Sequence, residues 1–218
     1  MIKQKEIFMQ CEGDAYSRRN VGAGEVKFID RKVQEFLSEI SASRVLEIGC
    51  GAGHRLDYLA SCQADTEYFG IDPSKKATES YSGPAKLFQG TADSLPFPDG
   101  HMDVVLFGFC LYLCDVEDYF IIAKEADRVL ADGGFLVIID FEPPFPYQNS
   151  YTHKKGVLST KMRFSEMFSW HPSYSLTSVI PFSNRMEKYD TDPNERISIS
   201  ILHKKHDLNL PQAPFAGK

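Results

Sequence analysis

Between residues 43 and 141 short continuous apolar runs alternate with stretches whose apolar residues recur every three or four positions. The runs at 44–48, 68–72, 86–89, 103–107 and 135–141 are brief and rich in β-branched or aromatic residues, the pattern of strands covered on both faces. The periodic stretches at 54–61, 74–81 and 116–130 read as crossover helices between them. Strand and helix in alternation build a parallel sheet with helices on both sides. In the third helix Phe120, Ile121, Ala123, Ala126, Val129 and Leu130 supply the apolar face, and Asp132-Gly133-Gly134 is expected to stop it.

The flanks are less regular. Val26, Ile29, Val33, Phe36, Leu37 and Ile40 share one face of a helix expected over 26–40. Ahead of it, residues 16–20 read as a frayed helix and Gly22-Ala23-Gly24 as a flexible joint, so the first 24 residues are a cover for a site or a tail. Past 141, Pro143, Pro144 and Pro146 break regular structure, and a short helix is expected at 164–169. Two strands follow at 174–182 and 196–203, the second alternating Ile197, Ile199 and Ile201 with Ser198 and Ser200. The interval between them has no helical period, and parallel neighbours need a crossover, so the pair should be antiparallel. The expected fold is α/β, a doubly wound and mostly parallel seven-stranded sheet with an antiparallel C-terminal strand. It divides into N-terminal helices at 1–42, a main domain at 43–207 with an insertion near 142–170, and a flexible tail at 208–218.

Composition narrows the class. A chain of 218 residues with 43% apolar content hides roughly 70% of its unfolded surface and needs no metal or disulfide to make a core. The 24 Lys and Arg against 30 Asp and Glu give a net charge of −6, which opposes general attraction to nucleic acid or anionic membranes. No stretch resembles a signal peptide or a membrane span, so the chain reads as cytoplasmic. Five cysteines, an odd number mostly in apolar stretches, fit reduced thiols. Cys110 and Cys114 have the spacing of one helical face, but no neighbouring Cys or His completes a metal site, which favours core packing. No metal is expected.

The strongest chemical signal is Val45-Leu46-Glu47-Ile48-Gly49-Cys50-Gly51-Ala52-Gly53-His54, a strand ending in three alternate glycines and running into a helix. Glycine lets backbone turn sharply and approach a ligand, and the helix start offers unpaired N–H groups. A dinucleotide fingerprint would need glycine at 54, where histidine stands. Glu47 just before the loop would repel a pyrophosphate, and no Gly-Lys-Ser or Gly-Lys-Thr follows to make a P-loop. A cationic ligand without phosphate suits the site better. The second strand ends at Asp72, a carboxylate placed either to accept the two hydroxyls of a ribose or to cap the next helix. Beside the glycine loop the ribose reading gains weight.

These segments resemble class I S-adenosylmethionine-dependent methyltransferases of the small-molecule (type 11-like) branch. Glu47, Gly49, Gly51 and Gly53 match the first motif and Asp72 the acid after the second strand. The run from Gly90-Thr91-Ala92-Asp93 through Leu95-Pro96-Phe97 to Met102-Asp103-Val104-Val105-Leu106 is similar to the adenine-side loop and fourth strand. The resemblance covers roughly residues 43–141 and implies a Rossmann-like fold with S-adenosyl-L-methionine as cofactor. It further implies that Gly49 and Gly51, with Cys50 and Gly53 in the same loop, approach the methionine part. Asp72, followed by Pro73, would bind the ribose, Ala92 and Asp93 would lie beside the adenine, and Phe107 would line the methionine end through its backbone. Thr91 stands where many relatives have Asp, leaving the adenine hydrogen bond to Asp93 or to backbone.

The acceptor is less legible. Ligands in open α/β sheets bind outside the carboxyl ends of the strands, which selects Tyr16, His54, Phe109, Tyr112, Asp140, Glu142 and the insertion. Tyr16 is a candidate contact to cofactor or acceptor, and His153 a candidate base, although a lone loop histidine is more often solvated. Across residues 151–163 stand His153, Lys154, Lys155, Lys161 and Arg163 with no acid. That stretch is either a solvated surface or, with Tyr151, a site for an acceptor carrying phosphate or carboxylate, such as an acidic metabolite or sugar derivative. The expected activity is O- or N-methylation of a small molecule. A cofactor-binding relative without transfer activity would carry the same signature, and nothing separates a monomer from a homodimer.

Overall fold

The apolar runs between 43 and 141 become five parallel strands in the computed structural model, which describes residues 3–20, 26–183, 188–192 and 196–205. They are β1 (Arg44–Ile48), β2 (Glu67–Asp72), β3 (Lys86–Gln89), β4 (Met102–Gly108) and β5 (Leu130–Phe141). Three antiparallel strands complete the sheet: β8 (Tyr174–Ser183), β9 (Lys188–Tyr189) and β10 (Arg196–Lys204). The order is β3-β2-β1-β4-β5-β10-β8-β9. The sheet thus has eight strands rather than seven, because the two-residue β9, too short to show any alternation, pairs with the end of β8. From β1 the chain winds outward to β2 and β3, then returns to place β4 on the other side of β1. That reversal opens a crevice beyond the strand ends between β1 and β4, the usual position of a ligand in such sheets.

Both faces of the sheet are covered. On one, Ile29, Val33 and Leu37 of α3 (Phe28–Glu39) and Leu56 and Leu59 of α4 (His54–Cys62) pack on Val45, Val104, Val137 and Ile199. On the other, α6 (Tyr119–Val129) buries Tyr119, Ile122, Ala126 and Val129 against Leu46, Val105 and Leu136. This corrects the expected face of α6: Phe120 is 81% exposed and Ile121 48%. The apolar positions outnumber what one stripe can bury: Ala123, Ala126, Val129 and Leu130 pack as expected, while in the first turn the sheet takes Tyr119 and Ile122 in place of Phe120 and Ile121. The helix also ends earlier, with Leu130 already extended. Asp132-Gly133-Gly134 lies inside β5, where Gly133 has φ +78° and a Cβ on Gly134 would meet the Asp103 carbonyl oxygen at 2.7 Å. The glycines serve a close approach to β4, whose register shifts between Met102 and Val104.

Two further segments differ from expectation. The proline-rich insertion forms a hairpin of β6 (Tyr147–Ser150) and β7 (Leu158–Lys161), followed by α7 (Glu166–Ser169). The N-terminal stretch is helical throughout residues 4–19: α1 (Gln4–Ile7), a π-helical turn (Phe8–Glu12) and α2 (Gly13–Arg19). A Cβ on Gly13 would meet the Phe8 carbonyl oxygen at 2.8 Å and the Ser74 amide nitrogen at 2.9 Å, so only glycine lets this helix touch the turn after β2. The joint at Gly22-Ala23-Gly24 and the tail from 208 fall outside the described residues. Among the described residues no helix is long and apolar enough to cross a membrane.

Candidate functional site

The glycine loop is tied down at both ends. The amides of Gly49 and Cys50 donate to the Ile71 carbonyl at 2.8 and 3.2 Å, and Gly53 donates to Cys50 at 3.0 Å. Gly49, Gly51 and Gly53 all have positive φ, at 80°, 53° and 79°, a region that costs other residues about 1–2 kcal/mol. Their surroundings differ. A Cβ on Gly49 would lie 2.6 Å from that of Cys110, and one on Gly53 would lie 2.6 Å from the Tyr81 ring, whereas nothing stands within 4 Å of a Cβ on Gly51. Gly49 and Gly53 are glycine for packing. Gly51 faces open space, and that space is a cavity at the reversal point.

Asp72 forms one wall. Its carboxylate accepts the Gly51 amide at 2.9 Å and the Ser74 amide at 2.8 Å, using two of about four lone-pair sites and leaving the others for hydroxyls. It does not cap α5 (Lys75–Ser80): that is Ser74, whose Oγ accepts the Ala77 amide at 3.1 Å. Burial pushes the Asp72 carboxyl up, against the pull of the two amides. Pro73, Thr91, Ala92 and Asp93 line the same cavity, as do Gly108, Phe109 and Cys110 at the end of β4.

Several expected contacts stand one layer back. Glu47, 2% exposed, points to the helical side of β1, where it pairs with Arg55, itself bonded to Asp30 at 2.7 Å. Alternation along the strand sends Ile48 toward the cavity and Glu47 away from it. Its Oε2 has no hydrogen-bond partner, and burial pushes its carboxyl up. Cys50 and Phe107 are buried beneath the floor, and Gly108 to Cys110 take the place expected for Phe107. Phe109, at φ +63°, is the one non-glycine residue with positive φ among the described residues; such strain collects where function holds a residue in place.

The lid of the cavity is the N-terminal helix, which contributes Lys5, Phe8, Gly13 and Tyr16. Only Tyr16 was singled out from sequence; a glycine inside a helical stretch was the available sign of the close approach at Gly13. The helix start is held from outside, the Asp115 carboxylate accepting the Gln4 amide at 2.8 Å and so satisfying one of the donors a helix leaves free. Buried Gln4 donates to the Leu113 carbonyl at 2.8 Å and accepts the Leu158 amide, joining lid to hairpin. Lys3 pairs with Asp118, and Lys5 with both Asp93 and, at 3.0 Å, Asp118. Burial acts to raise the carboxyls of Asp93 and Asp118, but the lysines outweigh it and hold both below the usual range. Removing the ammonium in Lys5→Met should therefore loosen the lid rather than the domain. Amide exchange across residues 4–19 should quicken while the unfolding midpoint changes by what about 1 kcal/mol or less allows; a uniform rise in exchange across the sheet would refute a local effect.

The insertion supplies less than expected. His153 is exposed at the hairpin tip with its ring edge-on to Tyr151, 5.2 Å between centroids. Tyr151 accepts from Arg19 at 3.0 Å, Lys154 reaches Cys11 Sγ at 3.2 Å, and Lys155 is exposed. Glu142 is bonded to Arg163 and Arg196, each at 3.2 Å. None of these five lines the cavity; Tyr151 and Lys154 brace the lid instead. Tyr112 is buried beside Phe109 and Phe141, with its phenol next to that of Tyr16. Among the described residues no group of His, Cys, Asp or Glu is arranged to hold a metal ion, and the five cysteines are free thiols.

Asp140, 2% exposed at the end of β5, accepts the Phe141 amide at 2.8 Å and the Tyr112 amide at 3.3 Å. Burial nevertheless pushes its carboxyl up to about 7. Between an unfolded value of about 3.9 and this folded value, the folded state binds the extra proton, so stability falls as pH rises through that window. The loss by neutral pH is on the order of 3–4 kcal/mol, and Asp140→Asn should remove it. Unfolding midpoints of parent and variant measured from pH 4 to 7 should diverge in slope, and parallel curves would rule the assignment out.

Residues 46–138 match the profile of a methyltransferase domain. Over 185 residues the chain is 33% identical to the uncharacterized methyltransferase YcgJ of Bacillus subtilis, covering 75% of this chain and 71% of that protein. It is 35% identical over 121 residues to a demethylmenaquinone methyltransferase of Bacillus licheniformis, spanning about half of each chain (52% and 51%). In fold it resembles the 1,6-didemethyltoxoflavin-N1-methyltransferase of Burkholderia thailandensis, with a TM-score of 0.68 at 11% identity over 92% of this chain and 87% of that one. With a glycine loop opening on the cavity, a carboxylate at the end of the second strand beside it and this relationship together, the chain belongs to the class I S-adenosylmethionine-dependent methyltransferases.

Proposed function

We propose that this protein methylates a small molecule at oxygen or nitrogen, with the acceptor entering beside Phe109 and Tyr16. The observation that carries the reading is the open space over Gly51 next to the free lone pairs of Asp72. The residues there fit the cofactor. The Gly49–Gly53 loop would hold the methionine part by its backbone, Asp72 the ribose, and Thr91, Ala92 and Asp93 the adenine. When bound, S-adenosylmethionine supplies a methyl group already activated on a sulfonium. The protein's part is then alignment and exclusion of water, which contribute several kcal/mol to such transfers. Phe8, Gly13 and Tyr16 close the cavity from above. Burial pushes the Tyr16 phenol up, so it stays protonated and positions an acceptor by donating a hydrogen bond. It is not a base. Names among the relatives, a demethylmenaquinone methyltransferase and a 1,6-didemethyltoxoflavin-N1-methyltransferase, support a small-molecule acceptor.

Calorimetric titration with S-adenosylhomocysteine should show saturable binding, and a nicotinamide dinucleotide should show none. Tight uptake of the dinucleotide with no response to S-adenosylhomocysteine would end this reading.

A further inference from the structure

Beyond the cavity, three rings meet at the ends of β4 and β5. Phe109, Tyr112 and Phe141 are in mutual contact, with centroids 5.0, 5.0 and 5.2 Å apart. Phe109, whose φ is positive, belongs also to the cavity wall. On the outer ring sits the ammonium of Lys161, from β7, 4.0 Å from the centroid of Phe141 and 5.6 Å from that of Tyr147. It is half-buried and, although the buried carboxyl of Asp140 lies near enough to feel its charge, it makes no hydrogen bond or close ion pair with any described residue, unlike Lys3, Lys5, Lys154 and Lys204 around the same domain. An ammonium held against a ring face by its cation–π contact still has N–H donors to give.

Every carboxylate lining the cavity is engaged: Asp72 by amides, Asp93 and Asp118 by lysines, Asp115 by the start of α1. Asp140, held by the Tyr112 and Phe141 amides, does not line the cavity, and an oxygen acceptor that arrives already as an anion needs no base. We propose that Lys161 recognises that anion, and that Phe109, Tyr112 and Phe141 form the platform for a flat acceptor of the carboxylate, phenolate or enolate class. This rests on the methyl-transfer reading above and names its substrate class. In the transfer the acceptor's oxygen lone pair forms the new O–CH3 bond as the S–CH3 bond breaks, its electron pair leaving on sulfur as a neutral thioether, and no proton moves. The lysines expected from sequence to meet an anionic acceptor, Lys154 and Lys155, lie on the lid and at the hairpin tip; Lys161 is the one in contact with the rings.

The test uses protein loaded with S-adenosylhomocysteine and two flat probes of nearly equal shape, 2-naphthoate and its neutral amide. Calorimetry should show the parent binding the carboxylate at least 10-fold more tightly than the amide. Lys161→Met should erase that preference and Lys161→Arg keep most of it, while Lys124→Met, on an exposed face of α6, leaves it intact. Equal binding of the two probes by the parent, binding of neither, or a preference surviving in Lys161→Met overturns the proposal. S-adenosylhomocysteine affinity, measured in each variant, separates the two readings: if the parent fails to bind it, the methyl-transfer reading itself falls, whereas normal loading with no carboxylate preference removes only the role of Lys161.

Discussion

Gly51→Ala is expected to fold almost as stably as the parent and yet to bind S-adenosylhomocysteine about 10- to 100-fold more weakly. A Cβ at this position meets nothing within 4 Å, so the only cost to the fold is the left-handed conformation, about 1–2 kcal/mol. The added methyl instead enters the space over the loop, where a ligand pressed on the backbone would meet it. An overpacked contact of this kind costs about 1–3 kcal/mol, and each ~1.4 kcal/mol is tenfold in affinity. Gly49→Ala provides the contrast. There the Cβ collides with Cys110 at 2.6 Å, so the unfolding midpoint should drop along with the affinity. Thermal unfolding and calorimetry on both variants check the pair, and parental affinity in Gly51→Ala would show that the loop is no cradle.

The second large effect is expected at Asp72. In Asp72→Asn one end of the side chain becomes an NH2 group, which must face the amide of Gly51 or of Ser74, both donors that now point at a carboxylate oxygen. Losing charge-assisted bonds to a ribose and leaving one amide unmatched should weaken S-adenosylhomocysteine binding by about 1–3 kcal/mol. Helix α5 should keep its start, because Ser74 does the capping. The discriminating measurement is the affinity beside the exchange rate of the Gly51 amide. Faster exchange with unchanged affinity would reduce Asp72 to a tie between two loops.

How much of this was legible in advance varies with the range of the interaction responsible. The central parallel strands announce themselves because a strand covered on both faces must be apolar along its whole length, while β3, exposed at the sheet edge, gives a weaker signal; the antiparallel end followed from a connection too poor in helical period to make a crossover. The apolar positions of α6 were visible but not which of them the first turn buries: Phe120 and Ile121 look as suited to burial as Tyr119 and Ile122, and only the sheet beneath decides among them. The hairpin at Tyr147–Ser150 and Leu158–Lys161 escaped notice because its residues are mixed in polarity and it meets the turn at Leu111–Leu113 only in the folded chain.

The chain's own order of residues determined the fold class, the glycine cradle and the acid opposite it, because each depends on local geometry: strand, turn and helix start lie within ten residues, and Asp72 ends the next strand. Tertiary structure alone decided what closes the cavity and which side chains line it. Lys5 and Asp93 are 88 positions apart, Gln4 and Leu158 154, and no pattern along the chain records such a meeting. It likewise separated the lysines of the insertion, leaving Lys154 and Lys155 in the turn between β6 and β7 and setting Lys161, paired with Tyr147 at the end of β7, against Phe141.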